Sequence, residues 1–153
     1  MIWEIAKFKG QLGFSGRILG LDWGEKRIGA ALSDTTWLIA SAYAVYEKGE
    51  FWRALPRLIE KEEVGAIIIG SPLTMAGRQE NAAAQAAAFA EKIDAAYYEL
   101  PIAFWDERLS SQATERHLIE DADLSRAKRA QVRDKLAAAY ILQGALDYLK
   151  IES

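Results

Sequence analysis

The chain has no cysteine, so it can form neither a disulfide framework nor a thiolate metal site. That fits a reducing compartment. Its single histidine, His117, excludes a histidine-rich zinc site. No apolar run approaches the roughly 18 residues of a membrane span. The segment Met1–Gly16 carries Glu4, Lys7 and Lys9 and lacks a signal-peptide core. A cytoplasmic location with no membrane partner is therefore expected. A basic excess is missing too. The formal net charge is -3, whereas a non-specific nucleic-acid coat protein shows a broad basic footprint. A nuclease remains open, because its site needs carboxylates for metal and only a local basic rim for phosphate. Repeats, low-complexity tracts and linkers are also missing.

What is present is an ordinary globular composition. The 153 residues are 51% hydrophobic and 27% charged, enough for one domain with a real core. Residues 1–16 read as an N-terminal extension interrupted by Gly10, Gly13 and Gly16, and 17–150 as a single domain. Strands are expected over about 17–23, 27–33 and 37–46, and their short links favour antiparallel pairing. A helix is expected near 50–62, with Pro56 either kinking it or standing close to its true start. Val64–Gly70 is an unbroken apolar run, as in a strand buried on both faces of a parallel sheet. The alanine-rich segment 79–96 favours helix. A strand follows over 100–105, then helices over 110–120 and 127–149, the first capped by Ser110 or Ser111. The fold class expected is α/β: a mixed five-stranded sheet, three strands antiparallel and two parallel, flanked by helices.

Three acids stand where a solvated charge is unusual. Asp22 lies among Ile18, Leu19 and Leu21 on the first strand, and burying it as an ion costs several kcal/mol without compensation. Gly24 lets the chain turn beside it, and Arg27 supplies a planar donor fork. Glu107 follows the last strand, at the end where open sheets place ligands. Asp134 shares a helical stripe with Ala138, Ile141 and Ala145. Converging acids repel unless a divalent cation neutralises them, and oxygen-only ligands suit Mg2+ or Mn2+. Two such ions about 4 Å apart can drive phosphodiester cleavage. Arg27 and Arg108 would then orient phosphates. Arg126, Arg129 and Arg133 share one helix face and would extend the grip on nucleic acid. Trp23, beside Asp22, could stack on a base. Blander readings stand beside these. Asp22 could be a turn residue, Glu107 a solvated strand end, Asp134 a surface ion-pair partner of Arg133 or Lys135, and His117 a helix-surface residue.

Four segments carry a resemblance. They are Gly20-Leu21-Asp22-Trp23-Gly24 with Lys26-Arg27-Ile28-Gly29 and Ser33-Asp34; Ile69-Gly70-Ser71-Pro72-Leu73-Thr74-Met75-Ala76-Gly77; Trp105-Asp106-Glu107-Arg108-Leu109; and Asp134-Lys135-Leu136-Ala137-Ala138 continuing through Ile141-Leu142-Gln143. In this order and spacing, from Arg17 to Asp147, the chain resembles the YqgF (RuvX-type) family of RNase H-like proteins. The resemblance implies an RNase H-like fold and an acidic metal site formed by Asp22, Glu107 and Asp134. It also implies either Holliday-junction resolution or, as the family is now more often described, maturation of the 5′ end of the small-subunit ribosomal RNA precursor. The 16-residue lead is longer than the family's usual start. Ser71, Thr74 and Ala76 stand where the family commonly has Leu, Asn and Asp.

The first functional expectation is a metal-dependent endonuclease on structured RNA or branched DNA, working as a monomer or, for a junction, as a homodimer. Asp-x-Gly after a first strand also opens ATP-binding phosphotransferase-like folds, which need far more chain. A non-catalytic RNA-binding ribosome-assembly factor is the third possibility. It leaves unexplained a cluster of buried charges that would destabilise the fold for no purpose.

Overall fold

The computed structural model describes residues 1–11, 16–24, 26–71, 77–106 and 126–151. The strands are β1 (Ile2–Trp3), β2 (Arg17–Trp23), β3 (Arg27–Ser33), β4 (Ala40–Glu47), β5 (Val64–Ser71) and β6 (Ile102–Asp106). They form one six-stranded sheet in the order β1-β6-β5-β2-β3-β4. β2, β3 and β4 are antiparallel neighbours. β5 runs parallel to β2, and β6 parallel to β5. This is the expected mixed sheet with one strand more than the five predicted. The extra strand is β1, which lies parallel to β6 with Ile2 opposite Ile102 and Trp3 opposite Ala103. Two residues are too few to show an alternation pattern. Only the β6 edge, where the Ile102 amide donates to the Met1 carbonyl at 2.9 Å, makes them a strand.

The helices are α1 (Ile5–Phe8), α2 (Lys48–Lys61), α3 (Gly77–Ala96) and α4 (Arg126–Ile151) among the described residues. One face of the sheet buries Leu19, Leu21, Ile67 and Ile69 with Phe51, Leu55 and Leu58 of α2 and Phe89 and Ile93 of α3. The other buries Ile18, Ala66, Ile68 and Ala103 with Ala138, Ile141, Leu142 and Ala145 of α4. Ile67, Ile68 and Ile69 alternate between the two cores, so their run is unbroken because β5 has no wet face. Phe8 of the lead joins the α4-side core and is fully buried.

Two boundaries differ from expectation. The third strand starts at Ala40, not near Trp37. Residues before it are taken up by a loop closed on the Asp34 carboxylate, with Trp37 at a φ of 60°. Helix α2 runs through Pro56 and begins eight residues before it. Pro56 cannot donate to the carbonyl one turn back, but Phe51, Leu55 and Leu58 bury their side chains on both sides of that gap. The expected helix over 110–120 lies outside the described residues.

Candidate functional site

The register across the sheet builds the site. Asp22 pairs with Gly29 on β3 and with Gly70 on β5, and Gly70 pairs in turn with Trp105 on β6. Residues opposite one another in a sheet point to the same face. Trp105 packs in the α4-side core, so Asp22 faces α4. The same follows along β2, since a Cβ on Gly20 would lie 2.7 Å from the Cβ of Leu142. Asp22 is therefore a half-buried carboxylate flanked in its row by two glycines, with no side chain beside it on either strand. It sits at the carboxyl end of β2, level with the carboxyl ends of β5 and β6.

Asp134 arrives from the opposite direction. It stands in the first part of α4, above its apolar stripe of Ala138, Ile141 and Ala145, all buried. A Cβ on Gly29 would collide with the Asp134 carbonyl oxygen and lie 3.5 Å from the Ala138 Cβ. Glycine at position 29 is what lets the α4 backbone touch the sheet there. The Asp134 side chain accepts a hydrogen bond from Arg27 Nε at 2.8 Å, and the two side chains are 29% and 30% exposed. That bond, and then the charge of Asp134, raise Arg27 above the ordinary arginine range. Arg27 is a permanent cation here, tied by one of its five donors.

Of the predicted site residues, the structure thus brings Asp22, Arg27 and Asp134 to one end and one face of the sheet. Glu107 and Arg108 lie outside the described residues. Arg126, Arg129 and Arg133 lie on α4, but their side chains are outside the described part. Among the described residues no group of three or more Asp, Glu, His or Cys side chains meets.

Other motif residues hold the scaffold. Ser33 is buried; its hydroxyl accepts from the Ile18 amide and donates to the Asp34 carbonyl, both at 2.8 Å. It fills a backbone bond where the β2–β5 register shifts between Arg17 and Ile18. Asp34 closes the β3–β4 loop by accepting from the Leu38 and Ile39 amides at 2.8 and 3.0 Å. Gln143 ties that loop to α4, accepting from the Ala40 amide at 2.8 Å and donating to the Leu38 carbonyl at 3.0 Å. These lie at the end of the sheet away from Asp22. In the sequence these three stand out only as members of the motif segments, and their partners on β2 and α4 are not legible there.

No helix among the described residues is long and apolar enough to cross a membrane. The RuvX family model, described as "Holliday junction resolvase", matches residues 16–148. A "Putative pre-16S rRNA nuclease" of Phenylobacterium zucineum is 46% identical over 87% of this chain and 87% of its own. One of the same name from Gluconacetobacter diazotrophicus is 44% identical over 95% of this chain and 96% of its own. Among solved structures, RuvC of T. thermophilus in complex with a Holliday junction substrate superposes with a TM-score of 0.54 at 18% identity. It covers 89% of this chain and 96% of that one. At that identity the likeness concerns the fold: the RuvC-like, RNase H-like sheet that the sequence predicts. With the family matched from Gly16 to Tyr148 and relatives this similar over nearly the whole length, the chain belongs to the RuvX family.

Proposed function

We propose that this chain is a divalent-metal-dependent endonuclease that matures the 5′ end of pre-16S ribosomal RNA, with Asp22, Glu107 and Asp134 as its acids. The observation that carries this reading is the placement of two carboxylates from residues more than a hundred positions apart. Asp134 lies with its backbone on Gly29, the register partner of Asp22. Glu107 directly follows β6 in sequence, the strand two places from β2.

The donor set fits a hard cation. It is all oxygen, with cysteine absent from the chain, and Gly29 lets the α4 backbone bring Asp134 down to the row of Asp22. Asp22, Glu107 and Asp134 would hold Mg2+ or Mn2+, which supplies charge neutralisation at a phosphodiester and acidifies water. Asp134 is oriented by the Arg27 Nε–H, and the guanidinium's fixed charge also suits a phosphate. Arg108, Arg126, Arg129 and Arg133 would contact the nucleic acid. On this substrate the chain would act as a monomer or a homodimer, and the composition fits the cytoplasm.

The names of the relatives support RNA as substrate. The family's description supports a second reading, in which a homodimer cuts branched DNA. One panel separates them: purified protein with a pre-16S leader RNA, a four-way DNA junction and a plain duplex, each with and without Mg2+ or Mn2+. The leader is expected to be cut in a metal-dependent way, and Asp22→Asn and Glu107→Gln to be inactive. Cleavage by Asp22→Asn at the parent rate would sink the assignment, and preferential cutting of the junction would move it to the second reading.

A further inference from the structure

Two tryptophans on the other side of the sheet share one construction. Trp23 and Trp52 are both half-buried. Each leans on Phe89 of α3, with ring centroids 4.6 and 5.5 Å from it. Each also carries an ammonium over its ring. Lys48 Nζ is 4.1 Å from the Trp23 centroid, and Lys92 Nζ is 4.2 Å from that of Trp52. The elements explain the repetition. Lys48 and Trp52 are one turn apart on α2, while Gln85, Phe89 and Lys92 form one stripe of α3. Gln85 Oε1 accepts from Trp23 Nε1 at 3.4 Å. The result is a line of two indoles and two lysines across the α2–α3 seam.

Its position gives the line a direction. Trp23 is the residue after Asp22, and strand alternation turns the two to opposite faces. The line therefore starts at the rim of the acid site and runs away from it over the far face. Successive aromatic faces with positive charge beside them are how proteins hold unpaired nucleotides. The contact of an exposed ammonium with a ring is weak, so a base can replace the lysine on the ring and leave its charge beside the phosphate.

We propose that Trp23, Lys48, Trp52 and Lys92 form a track for single-stranded nucleic acid leading to the Asp22 site. Its bases stack on the indoles and its phosphates meet the two ammonium groups. The track takes its purpose from the nuclease reading, but its test does not need cleavage.

The experiment is binding of a labelled single-stranded RNA of about 12 nucleotides, with chelator present, to the full chain. The parent is expected to bind it with quenched tryptophan fluorescence and to prefer it to the matching blunt duplex. Trp52→Leu keeps apolar bulk and is expected to weaken binding roughly five- to a hundredfold. The Lys48→Gln, Lys92→Gln double variant removes the two ammonium groups and keeps both indoles. It is expected to lower the slope of log affinity against log salt by about 1.4. Should Trp52→Leu fail to fold, the lysine pair decides alone. A parent that does not bind the strand, or variants that bind it with the parent's affinity and salt slope, would overturn the track. Leader cleavage that still depends on Asp22 would then leave the nuclease reading standing. Track-dependent binding, with cleavage indifferent to Asp22, would do the reverse.

Discussion

The backbone carbonyl of Asp134 rests on Gly29, the residue hydrogen-bonded in register to Asp22. The distance between the two acids is thus set by contact between main chains, with no intervening side chain to give way. Gly29→Ala inserts a methyl where backbone already stands. We expect a loss of about 1–3 kcal/mol, read as a lower melting temperature. We also expect cleavage activity to fall further than the folded fraction does, because α4 must lift its acid off the sheet.

Arg27 and Asp134 make a second prediction. Their bond is partly covered, so its effect on stability is small and screened by salt. A double-mutant cycle with Arg27→Ala and Asp134→Asn should give a favourable coupling that shrinks between low and high salt. Arg27→Lys should not restore it, since a lysine lacks the planar Nε–H that makes the contact. A coupling unchanged by salt would show that the pair is more deeply shielded than its exposure indicates.

Asp34 sets a pH dependence. Its carboxylate accepts from the Ile39 amide, the Thr36 hydroxyl, and the Leu38 and Thr36 amides, which hold its pKa far below the ordinary carboxylate range. The folded state therefore binds that proton less readily than the unfolded state does. The stability it contributes is complete above the unfolded value near 3.9 and is lost as pH falls below it. Asp34→Ala should melt lower than the parent at pH 6 to 8, and the gap should close as pH is taken from about 4 towards 2. A gap that widens on acidification would reverse the sign of this argument.

Phe8 predicts the worth of the lead. It is fully buried among Ile18, Ile68, Ala103 and Leu146, so Phe8→Ala should cost about 3–5 kcal/mol. In a domain of this size that lowers the melting temperature on the order of 10 °C. A change within 1 °C, measured by calorimetry, would mean that the lead is not part of the cooperative unit.

Much of the frame was readable before any coordinates. The bounds of β2 and β3 follow from Ile18–Leu21 and Ile28–Leu32, whose apolar runs stop at Gly24 and Asp34. The inward stripe of α4 follows from Ala138, Ile141 and Ala145 at helical spacing. What the sequence could not supply was anything that depends on a distant partner. Ile2 and Trp3 are a strand only because β6 offers an edge. Arg27 is a plausible phosphate ligand by type, and only the approach of α4 shows its Nε on Asp134. Gly29 looks like any strand glycine until the helix that presses on it is in place. At the site, Asp22 and Asp134 could each be singled out as acids in apolar settings. Their common face follows from register and packing, which no local pattern encodes.

The pairing of Ile2 with Ile102 also bears on how the molecule is made. Synthesis at about 5–20 residues per second delivers Trp3 and Phe8 several seconds before β6 exists to receive them, and α4 comes later still. These two side chains thus wait for shelter until the strand and the helix that cover them have been made. A nascent chain of this protein should be stickiest, and most dependent on chaperones, until its second half has emerged.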